Sequence, residues 1–348
     1  MDNLTHSLVG ALLGQMGLKR NTGLAIPTLI IAANIPDIDA VATLLGGHQH
    51  LAIRRGITHG PIAMLVLPLL LWAAMLWFDA WETKRGKRPE KRLPVHKGWL
   101  LALAFIGCLS HPLFDWFNSY GIRLLEPFSR QWFYGDTLFI IDIWLWIALV
   151  AGVWVSLRRE RRGASSWRVP AVASFAAICA YIFANGLITG KAEAQARYEL
   201  EEPVISNSRM PKAATDSDPR HHNSELLVVA NPVPFAFWRR EMLWRDGTNK
   251  GEAEFSLFGP TPEYNPKPLC IDPPCPALPK LQTGFQLPGV RNSLAEASAD
   301  PDVAALLFWS RMPVIRKSKT ELILGDQRFS NPLVADRFTV RVPYRENK

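Results

Sequence analysis

The chain has 348 residues, enough for about two domains, with 48% hydrophobic residues, 20% charged residues and a formal net charge of +8. That apolar content excludes a disordered chain, and four cysteines are too few for a disulfide scaffold. The charge is uneven: residues 1–190 carry 18 Lys and Arg against 11 Asp and Glu, residues 191–348 carry 21 against 20. The basic excess therefore sits in the half that holds the long apolar runs.

In chain order, two short apolar runs come first, residues 4–18 and residues 23–35, the second interrupted by Pro27. Each is too short for a confident span and suits a tilted or re-entrant helix. Residues 60–78, 137–157 (broken only by Asp142) and 169–188 are long enough, or nearly so, to cross a bilayer, and residues 98–114 fall slightly short. Residues 1–190 are thus expected to form an α-helical integral membrane domain of four to six helices. Asp2 stands where a basic signal-peptide start would be, and no clear small-residue cleavage site follows, so a cleavable leader is not expected. Residues 79–97 carry seven basic residues and residues 158–168 carry five. By the positive-inside trend both loops, with Lys19–Arg20, face the cytoplasm. Read this way, the basic residues report orientation, and nucleic acid is not an expected partner. Threading from these anchors puts residues 36–60, 112–136 and everything after Gly190 on the outer face.

The second half reads differently. A helical connector (residues 191–202) and a polar loop (210–223) lead into strand-like runs at 225–230, 235–244, 252–258, 320–324 and 337–342. Asp246-Gly247 and Gly251 predict a hairpin with a longer loop. Residues 191–348 are expected to be a smaller, β-rich, extracytoplasmic soluble domain. On an oxidising face Cys270 and Cys275 can pair or stay free; Cys108 and Cys179, in apolar runs, read as inert.

Outside the basic loops, the first 190 residues hold seven acids: Asp2, Asp37, Asp39, Asp115, Glu126, Asp136 and Asp142. On this threading all lie at or near outer span ends, together with His6, His59 and His111. Ionisable groups near a bilayer are costly, so their gathering on one face calls for a common partner. His111 and Asp115, four apart in a helical run, share a helix face. In Pro36-Asp37-Ile38-Asp39, an extended or turning backbone aims both carboxylates the same way. His59 directly precedes a span, and Asp2 lies four residues before His6. Taken singly, these residues suit core histidines, a turn cap or a hydrogen-bonded pair. Together, imidazole and carboxylate suit zinc or another borderline divalent cation. No HExxH motif is present, against a zincin protease. Thr58 and Ser110 read as supporting or helix residues, and His48, His50, His96, His221 and His222 as surface residues.

Met1-Asp2-Asn3-Leu4-Thr5-His6, Ala33-Asn34-Ile35-Pro36-Asp37-Ile38-Asp39, Arg55-Gly56-Ile57-Thr58-His59 and Leu109-Ser110-His111-Pro112-Leu113-Phe114-Asp115 resemble motifs of the YdjM-type membrane-bound metal-dependent hydrolases. So do Asn118-Ser119-Tyr120-Gly121, Glu126-Pro127-Phe128-Ser129, Tyr134-Gly135-Asp136 and Phe139-Ile140-Ile141-Asp142. In the tail, Phe308-Trp309-Ser310-Arg311 and Gly325-Asp326-Gln327-Arg328-Phe329 resemble the family's longer members. The resemblance implies a multi-pass protein of the bacterial inner membrane. The metal-binding pattern is in turn similar to that of the zinc-dependent phospholipase C and single-strand nuclease superfamily. Carried over motif by motif, that similarity implies His6, Asp37 or Asp39, His59, and His111 with Asp115 as metal ligands. The superfamily's later histidine motifs have no counterpart, since no His lies between His111 and His221. Asp136 or Asp142 is the candidate to support a second ion.

These readings lead to an expected metal-dependent hydrolase working at the outer membrane–water surface on a phosphoester or lipid-like substrate. One of Asp37 and Asp39 ligates the metal while the other bridges or serves as general base. Arg54, Arg55, Arg123 and Arg130 are the candidates to hold a phosphate, because a guanidinium matches it bidentately. Equally, they can anchor to anionic lipid or pair with Glu126. The alternative is a non-catalytic metal-binding protein, or an envelope stress or transport component.

Overall fold

The computed structural model describes residues 1–201, 226–246, 249–265, 267–268, 300–317, 320–330 and 335–343. The expected polar loop at 210–223 with His221 and His222, and the Cys270–Cys275 pair, lie outside the described residues. The chain groups into two units, one of Met1–Gly46, Ile53–Gly186 and Pro234–Ala236, the other of Gly47–Ala52, Leu187–Val233 and Phe237–Lys348. The architecture is the expected one, apolar helices followed by small antiparallel sheets.

The helices of the first half are α1 (Asn3–Gln15), α2 (Ala25–Ala32), the single turn α3 (His50–Ile53), α4 (Pro61–Lys84), α5 (Lys97–Trp116), α6 (Ile143–Arg161) and α7 (Val169–Glu201). Asp2 starts α1 by accepting from the Thr5 amide at 3.1 Å and its hydroxyl at 2.6 Å, which satisfies donors a helix start leaves orphaned. Pro61 opens α4 at the position where its missing N–H costs nothing. Among the described residues three helices, α4, α5 and α7, are long and apolar enough to cross a membrane. A fourth candidate is α2 with the 3₁₀ segment Ile35–Leu45, bent by 43° as a broken span or re-entrant loop.

Two span expectations change. Residues 98–114 looked short, yet α5 runs for 20 residues, close to the ~30 Å of a bilayer core at ~1.5 Å per residue. Residues 137–157 looked long enough, but α6 begins only at Ile143. There the Asp142 carboxylate caps it, accepting from the Leu145 amide at 2.9 Å, and Arg158 and Arg159 end its apolar part. The connector expected at 191–202 is a continuation of α7, whose 33 residues span roughly 50 Å, well past the bilayer core.

α4 and α5 pack antiparallel: Met64 of α4 meets Cys108 late in α5, while the Trp72 indole donates to the Lys97 carbonyl at 2.9 Å. Their basic connection therefore lies at the opposite ends from His59 and His111. α2 crosses α5 with almost no space between backbones. A Cβ on Gly107 would stand 2.6 Å from the Ala32 Cβ and 2.9 Å from the Leu29 carbonyl oxygen. Val9, Leu12, Phe114, Leu145, Leu149 and Ile178 form a core shared by α1, α5, α6 and α7. Between α5 and α6, residues 117–142 fold back over the helix ends. They are pinned where Ile122 and Phe133 exchange hydrogen bonds and the Thr137 and Leu138 amides donate to the Phe117 carbonyl.

In the second unit, β1 (Leu227–Pro232), β2 (Arg239–Asp246), β3 (Asn249–Ser256) and β4 (Lys267–Pro268) make one antiparallel sheet; β5 (Pro313–Lys317), β6 (Glu321–Asp326) and β7 (Val340–Pro343) make another. The β2–β3 ladder closes on Asp246 opposite Asn249, tighter than the longer loop expected. Along β1, Val228 and Ala230 pack with Ile188, Ala192 and Ala196 of α7, while Val229 packs with Leu243 and Met312 on the other face. This two-sided burial explains why β1 lacks a polar alternation. The helix α8 (Pro301–Trp309) ends at Ser310, whose hydroxyl donates to Asp326 at 2.6 Å. Asp326 also takes a bidentate bond from Arg328, at 2.9 and 2.8 Å. The two tail motifs, Phe308–Arg311 and Gly325–Phe329, thus meet in one buried cluster, where Trp309, Phe329 and Phe338 stack.

Candidate metal centre

Four separate segments bring their chemistry-bearing residues together at the helix ends. α5 presents His111 and Asp115 one turn apart on one face, as their spacing requires. The turn before α4 brings His59, and its Nε2 lies 3.1 Å from His111 Nε2. Both rings face Asp115 Oδ2 at 3.6 Å. Asp37 and Asp39 come from the 3₁₀ segment, the turning rather than the extended form of backbone, but not with both carboxylates aimed the same way. At ~3.0 residues per turn, residues two apart leave on different faces, so the two acids reach the cluster from different sides. Asp37 lies 3.8 Å from His111 Nε2, and Asp39 3.4 Å from His59 Nδ1. From α1, His6 stacks on His111 with centroids 3.8 Å apart, its Nε2 3.3 Å from Asp115 Oδ1. All six residues are buried.

Hydrogen bonds fix where the imidazole protons sit. His111 Nδ1 lies 2.7 Å from the Ala33 carbonyl, which can only accept, so Nδ1 carries the proton and Nε2 a lone pair in the neutral ring. The Thr58 hydroxyl donates to the Asp39 carboxylate at 2.9 Å and is therefore an acceptor for His59 Nδ1, also at 2.9 Å. That arrangement leaves His59 Nε2 with a lone pair as well. Two lone pairs converge across 3.1 Å on a carboxylate oxygen, an unfavourable contact that a cation between them relieves.

Asp37, His59, His111 and Asp115 can each offer one ligand atom, all within 4.8 Å of one another. Beside them, His6 Nδ1 and Asp39 Oδ1 are buried without a hydrogen bond among the described residues. Such orphaned groups are costly in a protein interior. The residues present therefore fit a bound divalent cation, with nitrogen and oxygen donors of the kind a borderline metal takes.

The remaining predicted residues fall in other places. Asp142 caps α6 and accepts from the Tyr181 hydroxyl at 2.9 Å, so both its oxygens are engaged. Asp136 is buried in the 117–142 segment, with a left-handed φ of 47°. Arg55 turns inward: Nε and Nη2 meet Asp115 at 2.9 and 3.2 Å, Nη1 donates to Asn118 at 2.8 Å, and Tyr120 lies under the guanidinium. Its backbone N–H donates to Asp39 at 2.7 Å. Arg123 pairs with Glu126 at 3.0 Å and donates to the Ile53 carbonyl. Arg54 is half-buried beside Asp37 and Asp39, at 3.3 and 3.8 Å, and Arg130 is exposed. Sequence reasoning missed one participant: the Ala33 carbonyl, which has no side-chain signal.

Apolar helices of membrane-crossing length, with a buried histidine–carboxylate cluster able to hold a metal ion, define a multi-helix membrane protein with an inward-facing polar centre. The chain belongs to the YdjM inner membrane protein family, whose sequence profile matches residues 1–192. It is also similar to the uncharacterized protein YfhP of Bacillus subtilis (strain 168), at 26% identity over 161 residues. That match takes in 44% of this chain and 45% of the relative, so the chain spans less than half the length of that protein. No solved structure matches.

Proposed function

We propose that this protein is a metal-dependent hydrolase whose centre, built in residues 1–190, lies at the outer surface of the inner membrane and acts on a phosphoester. The observation that carries the reading is the convergence of the His59 and His111 Nε2 atoms with Asp37 and Asp115 inside a 4.8 Å group. Zinc is the metal the mixed imidazole–carboxylate set suits best, in keeping with the likeness to zinc-dependent phospholipase C. A bound divalent ion supplies Lewis-acid polarisation and a water acidified toward neutrality.

The chain's own residues do the rest. Asp39 and Thr58 orient His59 through Nδ1, as carboxylates behind metal-binding histidines do. Asp39 Oδ1, without a hydrogen bond, is the atom able to take a proton from an incoming water. Arg55 holds Asp115 in place, and Arg54, half-buried over Asp37 and Asp39, is the guanidinium placed to meet a phosphate. In this reading residues 191–348 form the outer soluble domain.

Metal analysis of the full-length protein purified in detergent, with hydrolysis of a model phosphodiester, tests the proposal. The expected result is stoichiometric zinc and turnover, both abolished by His59→Ala or His111→Ala. Metal-free wild-type protein overturns it. A second reading has its own support: four of the six cluster residues are at most 1% exposed, and closed metal sites are more often structural. Bound metal without turnover on lipid or model phosphoesters selects that reading. For topology, a reporter fused after Lys348 is expected to be active outside the cytoplasm, and one at Gly86 inside; the reverse refutes the orientation.

A further inference from the structure

The 3₁₀ segment that carries Asp37 and Asp39 has a second face. It runs for 11 residues, far beyond the few such helices usually sustain, and side chains three apart eclipse one another along it. Ile38, Val41 and Leu44 form one such row, and they are 60%, 63% and 83% exposed. An apolar row this exposed needs a partner. Together with Ala42, Leu45 and Ile53, the row walls a groove of about 570 Å³, within the roughly 300–1,000 Å³ range of ligand sites. Among the described residues its polar lining comes from Asp39 and Thr58, the two side chains bonded to each other that meet His59 Nδ1. One end of the groove is therefore the wall of the metal cluster.

The surroundings identify the occupant. α4 begins two residues after His59, and its first turns expose Ile62, Leu65 and Leu69. On a helix long enough to cross a membrane, exposed apolar residues such as these suit contact with acyl chains. Among the described residues the groove's lining carries no charged side chain but Asp39, and it is as apolar as that surface, unlike the polar rim of a protein partner.

We propose that the groove of Ile38, Val41, Leu44, Leu45 and Ile53 seats the acyl chain of a bilayer lipid, with the lipid's polar end against Asp39, Thr58 and the metal cluster. The cluster would then work on a membrane-resident amphiphile and not on a water-soluble ester. The substrate part of this inference rests on the hydrolase reading; the binding part does not.

The test uses the full chain in nanodiscs of phosphatidylethanolamine and phosphatidylglycerol doped with a phospholipid bearing a diazirine at the acyl terminus. Photo-adducts are mapped by peptide mass spectrometry, and metal content is measured on the same samples. Adducts are expected to concentrate on residues 38–45 and 53. Leu44→Glu, and separately Val41→Trp, should reduce them on the order of tenfold, the scale of one leucine-sized apolar contact. Because neither residue is a candidate ligand, metal content should match the wild type. Adducts spread evenly over 38–45 and 62–70, unchanged in both variants, would mean annular lipid and overturn the proposal, as would cross-links between two copies at this row. Groove adducts on a metal-free wild type would sink the hydrolase reading while leaving the lipid groove standing.

Discussion

Asp115 and Asp326 invite comparison, since each is a fully buried carboxylate gripped by an arginine, Arg55 in one case and Arg328 in the other. Around Asp326 every lone pair is served: Arg328 donates from Nε, Nη2 and its backbone amide, Ser310 from its hydroxyl and Met312 from its amide. Around Asp115 the arginine, with Nε 2.9 Å from Oδ2, shares that oxygen with two histidines whose Nε2 atoms turn toward it at 3.6 Å. Buried charge alone does not distinguish a site from a structural ion pair. The convergence of ring nitrogens on the carboxylate does.

The contrast breaks most readily at Asp326. Asp326→Ala strands the buried Arg328 charge and is expected to cost about 3–5 kcal/mol, read by denaturant unfolding in detergent, with metal content unchanged. Protonation does the same more gently. Burial alone would raise the Asp326 pKa, but Arg328 and the hydrogen bonds hold it below the ordinary carboxylate value. The native form thus keeps this stability above about pH 4, the unfolded aspartate value, and loses it as pH falls through the lowered native pKa. Acid titration of the wild type should show that loss, and Asp326→Asn should flatten it.

At the other cluster, Asp39→Asn is expected to weaken metal affinity about 10–100-fold, the effect of losing a carboxylate behind a histidine ligand, with little change in unfolding of the metal-free protein. Competition titration with a chromogenic chelator measures this; an unchanged affinity would remove Asp39 from the centre. Asp142→Ala should lower stability by about 1 kcal/mol, as a lost helix cap does, with metal affinity equal to the wild type. A large metal effect there would restore Asp142 as a supporting ligand.

Much of the centre was legible because it depends on local periodicity. The i, i+4 spacing of His111 and Asp115 survives into α5 unchanged, and His59 needed only its place before an apolar run. What hid from the sequence was tertiary. Arg54 and Arg55 are neighbours of one chemistry, and only folding separates them: Arg55 adopts a left-handed φ of 54° and turns its guanidinium inward. The acids of Pro36–Asp39 allowed an extended or a turning backbone, and the 3₁₀ segment is the turning one, with Ile38, Val41 and Leu44 three apart along it. Asp142 stood out as a charge inside an apolar run, when an aspartate just before such a run is equally a helix start. In the second half, the apolar runs expected as strands at 225–230 and 320–324 overlap β1 and β6. The meeting of Ser310 with Asp326 was not, because it joins segments that share no local pattern.

The bare Cα of Gly107 reaches further than its packing role. Gly107 sits one turn before His111, and the contact it permits lets α2 approach until the Ala33 carbonyl lies 2.7 Å from Nδ1. A methyl group there would meet the Ala32 Cβ, the Leu29 carbonyl oxygen and the Ala33 amide nitrogen, so the end of α2 would have to shift, and with it the acceptor that keeps the His111 proton on the far side of the ring. In Gly107→Ala the imidazole is expected to exchange tautomers and offer the cluster an N–H where a cation would need a lone pair. The basicity of this centre is set, in part, by a side chain that is not there.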